Sequence, residues 1–344
     1  MKVLVITHEF TISGASLMLF RVAKFLMWRG MQIDVMSLLP TDGPLADMYR
    51  DAGARVVEKI KPRDYRFGVA NTIFSGGAVA NLGTKIPMVW WIHEGDNGLG
   101  VVLSDPVNYQ RAFGSAARIV FPARHLKDCI YKSFIHHLPE ETLVVLPNGI
   151  DLPQDIVPAK KGKGVVRIVS VATVDQRKRA GDLLEALERL NMKNLEAIFV
   201  GRKYWLSDGG LAVLERERQH RRERFRFLGE LPNEQAMSWL ASADIFAHPA
   251  GVEAHPLAPI EAGLFGKPII LADIAVYEGL WRHGRNCLLH PVGDIDLLAM
   301  QLAGLCSNPG LAQRLGEQAR LTAGRFSNNA FLKHFEDAVL TGLI

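Results

Sequence analysis

The chain has 344 residues, 48% of them hydrophobic, and a formal net charge of +4. That length exceeds what a single core usually serves, so two domains are expected. The charge is too modest and too evenly spread to imply nucleic acid; Cys129, Cys287 and Cys306 lack Cys-x-x-Cys spacing and read as free thiols in a reducing compartment; and no run of eighteen apolar residues is present to span a bilayer.

The N-terminus enters a strand pattern at once. VLVI (3–6) is apolar, and His8 and Glu9 follow too soon for a signal peptide, so a cytoplasmic protein is expected. A loop with Ser13 and Gly14 leads into a helix over 15–30, closed by Gly30. This helix carries Met, Leu, Phe and Trp with three cations; it reads as packed on a sheet, with peripheral contact to the inner face of a membrane as the alternative. Strands follow at 32–38 and 55–58 around a helix at 44–54, then at 87–94, 117–123 and 142–151. Continuous apolar strands alternating with helices imply a parallel sheet covered on both faces.

The pattern stops at PAKKGKG (158–164), the best linker candidate. It restarts with a strand at 165–173, a helix at 181–190 and a strand at 195–201. A highly charged helix is expected at 211–225; its basic stretch 216–226 alternates with acids and reads as a solvated face. Strands at 225–229, 244–249 and 268–272 and helices at 294–307, 310–323 and 328–341 complete the chain. Ligands in such sheets bind beyond the carboxyl ends of the strands.

One stretch there carries unusual chemistry. In GVEAHPLAPIEAGLFGKPII (251–270), Glu253 and Glu261 stand eight positions apart in apolar surroundings. Pro256 and Pro259 exclude a continuous helix between them. Glu253 is therefore expected in a loop and Glu261 near the first turn of a helix that Gly266 ends. A helix N-terminus suits an anion, and carboxylates suit hydroxyl groups, so the pair fits a ligand with both phosphate and hydroxyls, a sugar nucleotide. A plain helix cap with a first-turn acid is the bland alternative.

The sequence resembles the retaining glycosyltransferases of the GT-B fold, specifically family 4 (glycosyl transferases group 1). The acid pair followed by Gly266-Lys267-Pro268 carries most of this. SGAS (13–16), PNGID (147–151), RKRAGDLLEAL (177–187), FLGELPNEQAMSWLASADIFAHPA (227–250) and GRNCLLHPVGDIDLLAMQL (284–302) match further family segments in order. The chain departs from the pattern at Thr173, where a basic residue is frequent, at Arg179 and Cys287, where glycine is usual, at Ala258, where proline is frequent, and in having one glycine in its first loop.

The resemblance implies two Rossmann-like parallel-sheet domains facing across a cleft. They would be an acceptor-side domain over 1–157, a linker at 158–164, a nucleotide-sugar domain over 165–325, and a final helical segment, 326–344, returning to the first domain. It implies that Glu261 binds the ribose hydroxyls and Glu253 lies by the donor sugar, with His255, Pro256 and Leu257 between them at the phosphate and sugar. Lys178, with Arg177 beside it, would face the diphosphate; His93 would touch the donor sugar; Gly14 would let the backbone approach the ligand. The implied donor is a UDP- or GDP-linked sugar, the acceptor a glycan or glycolipid hydroxyl, and the setting glycan, lipopolysaccharide or exopolysaccharide synthesis. No Asp-x-Asp motif sits in a fitting loop, so no metal or other cofactor is expected. A sugar-nucleotide epimerase of the same fold and a non-enzymatic two-domain sugar-binding protein stay open. The first would alter the donor without an acceptor, and the second would bind free sugar.

Overall fold

A computed structural model describes residues 1–39, 42–190, 192–203 and 224–344. The charged helix expected at 211–225 lies almost entirely outside the described residues. The chain divides into two compact units: Met1–Gly149 with Asn328–Ile344, and Ile150–Ser327.

The first unit is built on seven parallel strands: β1 (Lys2–Thr7), β2 (Gln32–Ser37), β3 (Arg55–Val56), β4 (Phe67–Asn71), β5 (Met88–Trp91), β6 (Arg118–Phe121) and β7 (Leu143–Val145). Their order is β3-β2-β1-β4-β5-β6-β7. Val3, Val5, Val69 and Trp91 are covered by Met18, Leu19, Val22 and Leu26 of the helix Gly14–Trp28, so this helix does pack its apolar stripe into the core. Trp28, at its end, is 76% exposed. Phe331, Phe335 and Val339 from the C-terminal segment join the same core, and the Phe331 ring stacks on Trp91 at 5.5 Å.

The second unit has six parallel strands: β8 (Val166–Val171), β9 (Leu195–Val200), β10 (Phe225–Gly229), β11 (Ile245–His248), β12 (Ile269–Ala272) and β13 (Leu288–His290). Their order is β10-β9-β8-β11-β12-β13. Leu183, Leu187, Leu298 and Leu302 cover one face, and Met237, Leu240, Ile260 and Ala319 the other. Both sheets are buried on two sides, which is why most strands read as unbroken apolar runs.

The stretch 158–164 lies inside the second unit. Arg167, a buried cation on β8, holds it there. Its guanidinium donates to the carbonyls of Ala159 and Lys160 at 3.1 and 2.7 Å, to Ser242 at 2.7 Å and to Glu196 at 2.8 Å. A buried arginine needs that many acceptors, because a cation out of water without partners is expensive.

Each sheet reverses its winding once, between β1 and β4 and between β8 and β11. At such a switch point the loops beyond neighbouring strands part and leave room for a ligand.

Candidate active site

In the second unit the two loops at the switch point are those after β8 and β11. Asp175 organises the first. It accepts from Thr173 Oγ1 at 3.0 Å, from Arg177 Nη2 at 2.9 Å and from the Lys178 amide at 3.0 Å. Burial opposes the charge on Asp175, but these donors outweigh it and lower its pKa. The Gly251 amide donates to the Arg177 carbonyl at 2.9 Å and so ties the second loop to the first. Arg179 begins the helix Ala180–Arg189 in the left-handed region, φ 53°, which explains the glycine usual there.

Glu253 is the meeting point. Lys178 Nζ donates to its Oε1 at 2.5 Å, and His248 Nε2 lies 2.7 Å from the same oxygen. All three side chains are largely buried, at 16%, 3% and 9% exposure for Lys178, His248 and Glu253. Burial again opposes the carboxylate, and the His248 and Lys178 interactions more than reverse it, holding Glu253 below the ordinary glutamate range. An anion is thus preformed at the end of β11.

After Glu253 the chain passes His255, Pro256 and Leu257, all half-buried, and enters the helix Ala258–Leu264 with Pro259 in its first turn. Glu261 lies on that helix, half-buried. The helix sits so close to Pro309–Ala323 that a Cβ on Gly263 would meet Ala323 Cβ at 2.8 Å, and Gly266 leaves it at φ +66°. The His255 imidazole is pushed down to about 4 by burial, and its Nδ1 finds no hydrogen-bond partner among the described residues.

Gly14 and His93 belong to the first unit, where they flank a separate set of strand-end loops. Gly14 opens its helix behind a reciprocal Ser13–Ser16 capping box, and a Cβ there would meet no atom within 4 Å. His93 follows β5, its ring 4.7 Å from that of Trp91. Between them Asn71, buried at the end of β4, donates to the Ala15 carbonyl at 3.0 Å. Thr72 has φ 71°, and neither its Oγ1 nor Asn71 Oδ1 has a partner among the described residues. Glu94 Oε2 accepts the amides of Ile73 at 2.8 Å and His93 at 3.1 Å.

The structure therefore brings Lys178 and Glu253 into contact. Arg177 is held by Asp175. His248, Asp175 and Asn71 were missed by the sequence reading. The signal for His248 was a histidine ending the otherwise apolar strand IFAH. Among the described residues no group of three or more His, Cys, Asp or Glu side chains is placed to hold a metal ion, and no described helix is long and apolar enough to cross a membrane.

Two parallel-sheet Rossmann-like units of this kind make up the GT-B fold. Residues 154–322, nearly the whole second unit, match the family model for glycosyl transferases group 1, the family the motifs resemble. The chain is 26% identical over 264 residues to TuaC of Bacillus subtilis, to which a glycosyltransferase role in teichuronic acid biosynthesis is ascribed; the match covers 72% of this chain and 63% of TuaC. It is 27% identical over 180 residues to the phosphatidyl-myo-inositol mannosyltransferase of Mycobacterium leprae, covering 50% of this chain and 46% of that one. The chain thus spans about half to two-thirds of the length of these relatives. Among solved structures, Anabaena HepE in complex with UDP has the same fold, with TM-score 0.79 and 18% identity over 99% of this chain and 100% of that one.

Proposed function

We propose that the protein is a glycosyltransferase that moves a sugar from a nucleoside-diphosphate sugar to an acceptor hydroxyl with retention of configuration. The observation that carries this reading is the buried Lys178–Glu253–His248 cluster at the β8/β11 switch point, inside the stretch that matches the group 1 family. Lys178 supplies a cation for the diphosphate, and Arg177, now on Asp175, is the second. Glu261 takes the ribose diol, with His255, Pro256 and Leu257 along the phosphate and sugar. Glu253 positions the donor sugar, and the leaving phosphate receives the acceptor proton on the same face. No metal is needed when cations of the chain balance the phosphate charge. The expected donor is UDP- or GDP-linked, the acceptor a glycan or glycolipid, and the work glycan, lipopolysaccharide or exopolysaccharide synthesis in the cytoplasm, with the inner membrane face as the alternative site.

The family match and the HepE complexes with UDP and UDP-glucose support a nucleotide-sugar donor. The test is a thermal-shift screen against UDP-, GDP- and ADP-linked sugars, followed by an assay of nucleoside diphosphate release in excess EDTA. A true donor at a hundred times its Kd adds about 2.7 kcal/mol of stability. No stabilisation by any of them overturns the reading, and release that stops in EDTA and returns with Mg²⁺ or Mn²⁺ overturns its metal-free part.

A further inference from the structure

Lys178 is asked to serve two anions. In this structure its ammonium is bound to Glu253, whereas the function proposed above, on which this inference rests, sends it to a diphosphate. A lysine on a loop has a flexible stem and moves easily between partners. When it moves, Glu253 needs something else to hold its charge and direction.

We infer that His248 is the positioning residue for Glu253, the donor that keeps this carboxylate in place while Lys178 engages the diphosphate. His248 is 2% exposed and ends β11, with its backbone in register with Leu271 of β12. Its ring stacks on Phe246 at 6.0 Å and 12°. Unlike Lys178 it has nowhere to swing. Its Nε2 faces Glu253 Oε1, and its Nδ1 is buried without a partner among the described residues. Those two facts place a proton on Nε2, from which it is donated to the Glu253 carboxylate. A polar ring closing the apolar run Ile245–Ala247 costs stability unless it is bonded, and Glu253 is its partner. Among the described residues both side-chain bonds fall on Oε1, which leaves Oε2 for a ligand.

The experiment compares His248→Leu and His248→Gln with wild type; the glutamine amide nitrogen stands near the place of the imidazole Nε2. Transfer is measured with the donor found above, affinity by calorimetry with UDP or GDP, and the imidazole by nitrogen-15 NMR before and after that nucleotide is added. His248→Leu is expected to lower kcat about tenfold or more while diphosphate affinity stays within about twofold, and His248→Gln to recover most of the loss. The wild-type spectrum should show a hydrogen-bonded Nε2–H that persists in the nucleotide complex and changes in Glu253→Gln. Wild-type kcat in the leucine variant, equal losses in both folded variants, or an Nδ1–H ring would each overturn the inference. The NMR arm needs no turnover. If no sugar is transferred but the Nε2–H signal persists with nucleotide bound, the functional proposal fails and the role of His248 stands; if that signal is lost on binding, the inference fails.

Discussion

Two buried glutamates follow inner strands of the two sheets, and their environments push them in opposite directions. Among the described residues Glu94 of the first unit accepts only backbone amides, and burial raises its pKa despite them. Glu253 of the second unit is buried as well, yet a lysine and a histidine bring its pKa below the ordinary value. Amide dipoles satisfy a carboxylate geometrically; a formal cation also makes up for the lost hydration. One unit holds a glutamate that shapes a loop, the other a glutamate kept charged.

Isosteric replacement is the strongest way to break this contrast. Glu253→Gln leaves the Lys178 ammonium buried without its counter-charge and should cost about 3 kcal/mol in urea unfolding at neutral pH. Glu94→Gln retains an acceptor for both amides, which share one oxygen, and should cost about 1 kcal/mol or less. Equal costs would mean that the two sites do not differ as described. Next in size, Lys178→Ala should weaken UDP or GDP binding on the order of 2 kcal/mol, about thirtyfold, while the nucleoside alone binds unchanged. Calorimetry giving wild-type diphosphate affinity would remove Lys178 from the phosphate.

Acid should single out the second unit too. The His255 pKa is about 4 in the folded protein, against an ordinary value of 6.5. The unfolded chain therefore takes up the proton first as pH falls. The stability from keeping His255 neutral is complete above pH 6.5 and is lost on the way down to pH 4. Between pH 7 and 5 the loss should be about 2 kcal/mol. His255→Leu should remove that share of the slope, and an unaltered slope in denaturation at the two pH values would refute it. The smallest effect is at Arg179. With φ at 53°, Arg179→Gly should be about 1 kcal/mol more stable than Arg179→Ala, since both lose the contact with Asp182 and only glycine relieves the backbone. Equal melting temperatures would count against strain there.

Much of the fold was legible because parallel strands buried on both sides carry plain apolar runs, as in β1 and β12. β4 escaped because Gly68 and Asn71 interrupt it, and Gly68 is there for space: a Cβ would come within 2.5 Å of the Met88 sulfur. β13 escaped because three residues, Leu288–His290, make no pattern. At the site, the spacing of Glu253, Glu261 and Lys178 was readable from chemistry and resemblance. The Lys178–Glu253 bond joins positions distant in sequence and needs the sheet to bring them together. The Arg177–Asp175 and His248–Glu253 contacts are local, but they depend on where side chains point, which residue order does not reveal. Arg179 lies between these cases: its departure from glycine was visible, whereas the positive φ that makes it matter was not.

The division of the chain has a consequence for how the protein is made. The first unit needs Phe331 and Phe335 beside Trp91, yet the whole of Ile150–Ser327 is synthesised before they emerge. At ribosomal rates of about 5–20 residues per second, the nascent first unit waits on the order of ten seconds or more with part of its apolar core uncovered. During that interval it is a client for chaperones and a target for proteases, while the second unit, contiguous in sequence, can close as soon as it leaves the tunnel.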